Sequence, residues 1–248
     1  TGTGTGTVPV DNYSSSVKFD KELGSLSSKY ESRGNPAAIG FDSTGGWSYG
    51  TYQLASKVGA FKAYMRFLKA KHPETFEVLQ TSGGNAGATN GTDAFKETWQ
   101  LAMNEESKAE TQHAYAVVTY FVPAADKVTK STGIDVRVKS KTLQDVLWST
   151  SVQHGAGGCN RIFKRAIKAC GNSAPTDEAL IVAVYNERAR NNGLAYFKSS
   201  TAGVRASVVK RFNNEKLDAL KSLEQEIKQA SNPVQGQANE VTLPVGPQ

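Results

Sequence analysis

The chain has 248 residues, enough to bury a sizeable core, and its 38% hydrophobic and 21% charged residues describe a globular protein rather than a disordered or fibrous one. It contains no run of 18 or more apolar residues, which excludes a membrane-spanning helix within this sequence. The formal net charge of +6 and pI near 9.2 predict attraction to anionic partners, with cell-wall polymers and nucleic acid as the two candidates.

In chain order, the Thr-Gly alternation of Thr1 to Thr7 reads as a flexible linker extending to residue 12. One folded domain is expected over residues 13–230, followed by a Pro- and Gly-containing tail, 231–248, expected to be disordered. Val17, Phe19, Leu23, Leu26 and Tyr30 recur at helical spacing, so Glu31 falls at a helix end. Arg33-Gly34-Asn35-Pro36 stops that helix. Ala38 to Asp42 and Trp47 to Tyr52 then flank Ser43-Thr44-Gly45-Gly46, the pattern of a small β-hairpin.

Glu31 and Asp42 are the candidate catalytic pair. Glycoside hydrolysis uses one carboxylic acid to protonate the leaving oxygen and commonly a second carboxylate to activate water or attack. A Glu among Tyr30, Tyr49 and Tyr52 would have its pKa raised by desolvation, while a hairpin Asp stays ionised. The plainer readings are a helix-end cap for Glu31 and a turn former for Asp42.

Ala60 to Leu68 is an amphipathic helix ending at His72-Pro73, and the Gly/Asn/Thr-rich stretch from Ser82 to Thr92 reads as a loop. Helix resumes from Asp93 to Ala125, with Pro123 marking the end of an apolar run. A further helix from Lys141, buried through Leu143, Val146, Leu147 and Thr150, is expected to stop at Gln153-His154-Gly155-Ala156-Gly157-Gly158. Thr176 caps a helix that carries Tyr185, Asn186 and Glu187, where Arg188 and Arg190 make Glu187 an ion-pair residue. One or two helices follow from Val204 to Leu223.

Cys159 and Cys170 permit one disulfide, and two buried thiols are the alternative. His72, His113 and His154 show no ligand spacing, so no metal site and no cofactor are expected. Arg161, Lys164, Arg165 and Lys168, followed by Arg188, Arg190 and Arg205, read as solvated helix faces. No nucleic-acid motif accompanies them.

Glu31-Ser32, Gly34-Asn35-Pro36 and Ser48-Tyr49-Gly50-Thr51-Tyr52-Gln53-Leu54 resemble the lysozyme superfamily in its goose-type lysozyme and lytic transglycosylase branch. The Gly-Thr-Tyr-Gln variant is similar to peptidoglycan-degrading domains on type VI secretion spike (VgrG-type) proteins and some phage lysins. Val184-Tyr185-Asn186-Glu187 resembles that branch's Ala-Tyr-Asn run. The resemblance implies a mainly α, lysozyme-like fold of two helical lobes with a small β-hairpin beside a cleft.

It further implies a muramidase acting on peptidoglycan glycan strands, delivered to the bacterial periplasm or cell wall, monomeric as an isolated domain, with room for an immunity protein as partner. Glu31 would be the general acid and Asp42 the base. Ser48, Tyr49, Tyr52, Gln53, Gln153, His154 and Asn186 would contact substrate, and Tyr185 would position Glu31. A lytic transglycosylase, a chitosanase-like enzyme and a non-catalytic wall-binding module are the competing readings.

Overall fold

The computed structural model describes residues 23–24, 34–171 and 174–231. The protein is mainly α with one small three-stranded antiparallel sheet, β1 (Ile39–Asp42), β2 (Gly46–Tyr49) and β3 (Leu54–Ala55), in that spatial order. Ile39 faces Tyr49 and Asp42 faces Gly46, so the hairpin turns over Ser43-Thr44-Gly45 as its turn residues dictate. The expected helix from Val17 to Tyr30 falls almost wholly outside the described residues.

Helix α1 (Ala60–Lys71) buries Phe61, Tyr64, Met65 and Leu68 on one face, and Pro73 opens α2 (Pro73–Gln80) in the first turn, where a missing N–H costs nothing. The Ser82 to Thr92 stretch is not a loop. It contains α3 (Gly84–Asn90), with Gly84, Gly87 and Ala88 buried. A Cβ on Gly87 would lie 2.6 Å from the Ser82 carbonyl and 3.0 Å from the Phe95 Cβ, so the small residues serve close packing rather than mobility.

Thr92 caps α4 (Asp93–Met103) by accepting the Phe95 N–H, and α5 (Glu106–Ala116) passes through a π-helical segment, Val117–Phe121, into α6 (Val122–Thr132). The helix therefore continues past Pro123. After the wide π turn, that proline sits in the opening turn of α6, where it needs no donor.

A 3₁₀ turn, Val136–Val138, leads to α7 (Lys141–Ala169), capped by the Ser140 hydroxyl. The predicted stop at Gly155 is a kink instead: Gly155 has φ 66° and ψ 168°, and helix resumes beyond it. Such backbone is open almost only to glycine, which explains why one residue bends the helix so sharply. Thr176 caps α8 (Asp177–Arg188) as expected, and α9 (Ala202–Ser231) is one uninterrupted helix burying Phe212, Glu215, Ala219 and Leu223.

Two hydrophobic cores result. The first gathers Tyr49, Leu54, Phe61, Tyr64, Phe95 and Trp99 from the hairpin and α1 to α5. The second gathers Trp148, Phe163, Ile181, Tyr185 and Phe212 from α7 to α9, together with α6. Tyr52 packs against both.

Candidate functional site at the junction of the two cores

Where the cores meet, four side chains from three parts of the sequence converge. The Tyr52 hydroxyl lies 3.2 Å from His113 Nδ1, and the His113 ring lies against Trp148 with centroids 5.0 Å apart. Trp148 also meets Tyr52 edge-on at 6.2 Å. Gln112, one residue before His113 on α5, is buried. It accepts the Thr51 N–H at 3.0 Å and donates to the Pro36 carbonyl at 2.9 Å and to Met103 Sδ at 3.0 Å.

The turn Gly50 to Gln53 is bent to allow this. Gly50 has φ 76°, and a Cβ there would sit 2.1 Å from Gln112 Oε1. Gln53 takes φ 48°, rare for a residue with a side chain, and donates its N–H to the Gly50 carbonyl at 3.1 Å.

Both described ends of the segment 25–33 are tied to this junction. On one side, the Gly24 N–H donates to Asp145 Oδ1 at 2.7 Å, and Gly24 lies so close to Trp148 that a Cβ would fall 2.6 Å from the indole nitrogen. On the other, two residues beyond Gly34, the Pro36 carbonyl is held by Gln112 Nε2 at 2.9 Å. Glu31 itself lies outside the described residues.

The other expected site residues separate into distinct environments. Asp42 is exposed at the hairpin turn, where its Oδ1 accepts the N–H groups of Thr44 at 2.8 Å and Gly45 at 2.6 Å, the turn-forming role. Ser48 is half-buried within β2, paired with Gly40 and Ala55. Gln53 is exposed, and Asn186 is exposed with its Oδ1 accepting Lys216 Nζ at 3.1 Å.

Tyr49 does not line a groove. It is wholly buried in the first core, edge-on to Phe95 at 5.3 Å, its hydroxyl donating to the Ala88 carbonyl at 2.9 Å, and burial pushes the phenol up to about 12. The alternation that makes Tyr49 inward-facing on β2 decides this.

Gln153 and His154 also turn inward. Because α7 kinks rather than stops, Gln153 Oε1 accepts Arg188 Nη2 at 2.7 Å, and the His154 ring packs against Tyr196 at 5.5 Å and Phe197 at 5.6 Å. Burial first, and then the charges of Arg188, Arg211 and Arg161, hold the imidazole down to about 3, so it is neutral at physiological pH.

Tyr185 is buried, its hydroxyl has no hydrogen-bond partner among the described residues, and the Arg188 guanidinium lies over its ring at 5.1 Å. Burial, before any neighbouring charge, raises its phenol. Glu187 is the ion-pair residue expected, with Arg190 Nε at 3.1 Å and Arg165 Nη1 at 3.6 Å, whereas Arg188 pairs elsewhere.

The cysteines are both free and cannot be bridged. Ten intervening residues of continuous helix place them roughly 16 Å apart along the axis, beyond the reach of a disulfide. Burial raises both thiols, most strongly that of Cys159. Among the described residues no group of three or more His, Cys, Asp or Glu side chains could hold a metal ion, and no helix is long and apolar enough to cross a membrane.

Sequence reasoning missed Gln112, His113, Asp145 and Trp148 as a set. Each sits in a helix whose apolar face was recognised, but their convergence depends on how α5, α7 and the hairpin turn pack together, which periodicity does not encode.

Among curated proteins the chain is similar to the type VI secretion system spike protein VgrG3 of Vibrio cholerae, with 31% identity over 183 residues. That match covers 72% of this chain but only 16% of the relative's length. Among solved structures it is similar to a chitosanase complex at 19% identity, with a TM-score of 0.45, covering 78% of this chain and 88% of that one. A family model for the C-terminal part of VgrG3-like spike proteins matches residues 23–216. The chain belongs to the family of type VI secretion system spike protein VgrG3-like C-terminal domains.

Proposed function

We propose that this chain is a peptidoglycan glycosidase, a muramidase that cleaves the β-1,4 bond between N-acetylmuramic acid and N-acetylglucosamine. Membership of a secretion-spike family supports delivery to other cells, with the bacterial periplasm and its wall as the target. The observation that carries the reading is the anchoring of the chain on both sides of segment 25–33, at Gly24 on Trp148 and Asp145, and at Pro36 on Gln112. Glu31 lies in sequence between these two anchors, and the boundary of the two cores beside them presents Tyr52, which offers a ring face and a polar tip for a sugar.

Glu31 protonates the leaving oxygen. Asp42 is the base that activates water on the opposite face, through the Oδ2 that the hairpin turn leaves free of backbone donors; inversion requires a separation of roughly 6.5 to 9.5 Å between the carboxyls. The engagement of Asp42 Oδ1 by Thr44 and Gly45 favours a second reading, a lytic transglycosylase that needs Glu31 alone, with the muramic acid C6 hydroxyl attacking in place of water.

Digestion of purified sacculi by the wild-type protein and by Glu31→Gln, with mass spectrometry of the soluble fragments, tests both. Reducing-end muramic acid products that vanish in the variant are expected of the muramidase. Products lighter by one water identify the transglycosylase, and the absence of Glu31-dependent fragments overturns both.

A further inference from the structure

Beyond the kink at Gly155, the second arm of α7 carries Arg161 and Arg165 one turn apart, both exposed. The chain leaving α8 brings Arg190 and Lys198 opposite them, and these four cations, with Asn191 and Tyr196, line a cavity of about 400 Å³. Glu187 is the carboxylate behind this wall. Its Oε1 accepts Arg190 Nε at 3.1 Å and the Tyr196 hydroxyl, and stands 3.6 Å from Arg165 Nη1. One carboxylate against four cations leaves a formal surplus of three positive charges. Among the described residues Arg161 and Lys198 have no ion-pair partner.

On a convex helix face such charges would spread into solvent. Here they converge on one concavity, although like charges one helical turn apart repel each other. A concave wall lined by one sign of charge raises the local concentration of anions, and the guanidinium forks of Arg161, Arg165 and Arg190 match planar carboxylates two bonds at a time. The cavity is the size of a small-ligand pocket, not of a protein interface. None of Tyr52, Gln112, His113 and Trp148 lines it, so it is distinct from the junction described above.

The geometry points to this cavity as a subsite for the carboxylates of the short peptides that branch from the glycan. This assignment of source rests on the glycan-cleavage reading, because those peptides recur along the same polymer and carry free carboxylates at a distance from the sugar bond. Phosphate-bearing polymers share the anionic chemistry, and the test separates the two.

Calorimetric titration of the full chain would use three probes: a wall tetrapeptide with free carboxylates, the same peptide with its carboxylates amidated, and inorganic phosphate. The free-acid peptide is expected to bind at least tenfold more tightly than the other two, with affinity falling as salt rises. Arg161→Gln/Arg165→Gln is expected to weaken it at least tenfold. Lys198→Gln, a second and independent exposed change, is expected to weaken it several-fold, with circular dichroism confirming the fold of each variant. Equal binding of the acid and amidated peptides, no binding of either, phosphate binding as tightly as the acid peptide, or unchanged affinity in the folded variants each overturns the subsite. Binding requires no bond cleavage, so peptide binding without glycan cleavage sinks only the glycosidase reading, and cleavage without peptide binding sinks only the subsite.

Discussion

Arg188 on α8 and Glu215 on α9 meet 3.5 Å apart, with side chains 0% and 3% exposed. Several neighbours hold the pair, although the buried Arg188 Nε has no hydrogen-bond partner among the described residues. Ser149 donates to Glu215 Oε2 at 3.2 Å and accepts Arg188 Nη2 at 3.2 Å, and the guanidinium lies 4.2 Å from the Phe212 ring centroid. Arg211 Nε adds a second cation 3.3 Å from the other carboxylate oxygen.

Removing one member of this pair strands the other charge in the second core. Glu215→Ala is expected to cost about 3–5 kcal/mol in urea unfolding, whereas Arg188→Met/Glu215→Leu recovers most of that loss. A single-variant cost below about 1 kcal/mol would show that water reaches the guanidinium.

His154 sets a pH dependence of stability. Its folded value is held to about 3, far below the ordinary 6.5, so the folded state keeps the ring neutral while the unfolded chain takes up a proton below pH 6.5. The unfolded state then binds more protons, and stability falls as pH falls from about 6.5 towards 3, by about 1.4 kcal/mol per pH unit. Between pH 7 and 5 the wild type should lose about 2 kcal/mol more than His154→Phe. Parallel urea midpoints for the two proteins across that range would refute the assignment.

Gly50 is expected to tolerate no side chain. Gly50→Ala drives a Cβ into Gln112 Oε1 in a left-handed backbone, at a cost of about 2–5 kcal/mol, and Gln112→Ala alone costs about 1–3 kcal/mol by orphaning the Thr51 N–H and Pro36 carbonyl. The double variant should cost less than the two singles together, since both disrupt one contact. Strict additivity in thermal melts would mean that the two residues act separately.

Asp42 allows turn and charge to be separated. Asn keeps the side-chain oxygen that Thr44 and Gly45 donate to, so Asp42→Asn should melt within about 1 °C of wild type, while Asp42→Ala costs about 1 kcal/mol. If Asp42 is the base, Asp42→Asn lowers the rate of reducing-end product formation by at least about 100-fold. Unchanged turnover in the folded Asn variant would leave Asp42 a turn residue alone.

The hairpin, the cap at Thr176 and the buried faces of α1, α7 and α8 follow from local rules, and local rules read them correctly; the caps at Thr92 and Ser140 follow from the same rules but were not read from the sequence. What misled them was glycine. From Ser82 to Thr92 and from Gly155 to Gly158 the same residue that signals a break instead permits close helix packing, against Phe95 at Gly87, or a sharp kink, at Gly155 with φ 66°. The inward turn of Gln153 and His154 followed from that misreading. Tyr52 and Gln53 were named from a motif, but Trp148 and Gln112 meet Gly24, Pro36, Thr51 and Tyr52 across about 60 to 125 residues of chain, for which no short pattern exists.

Helix α5, the π segment and α6 form one unbroken rod, and the border between the two cores crosses it between Tyr115, which belongs to the first, and Ala116, which belongs to the second. No linker separates the halves at that point, so pulling them apart requires breaking helical backbone bonds rather than flexing a joint. Heat should therefore melt both halves in a single calorimetric transition whose measured enthalpy equals its van't Hoff enthalpy, in a molecule that otherwise has the packing of two.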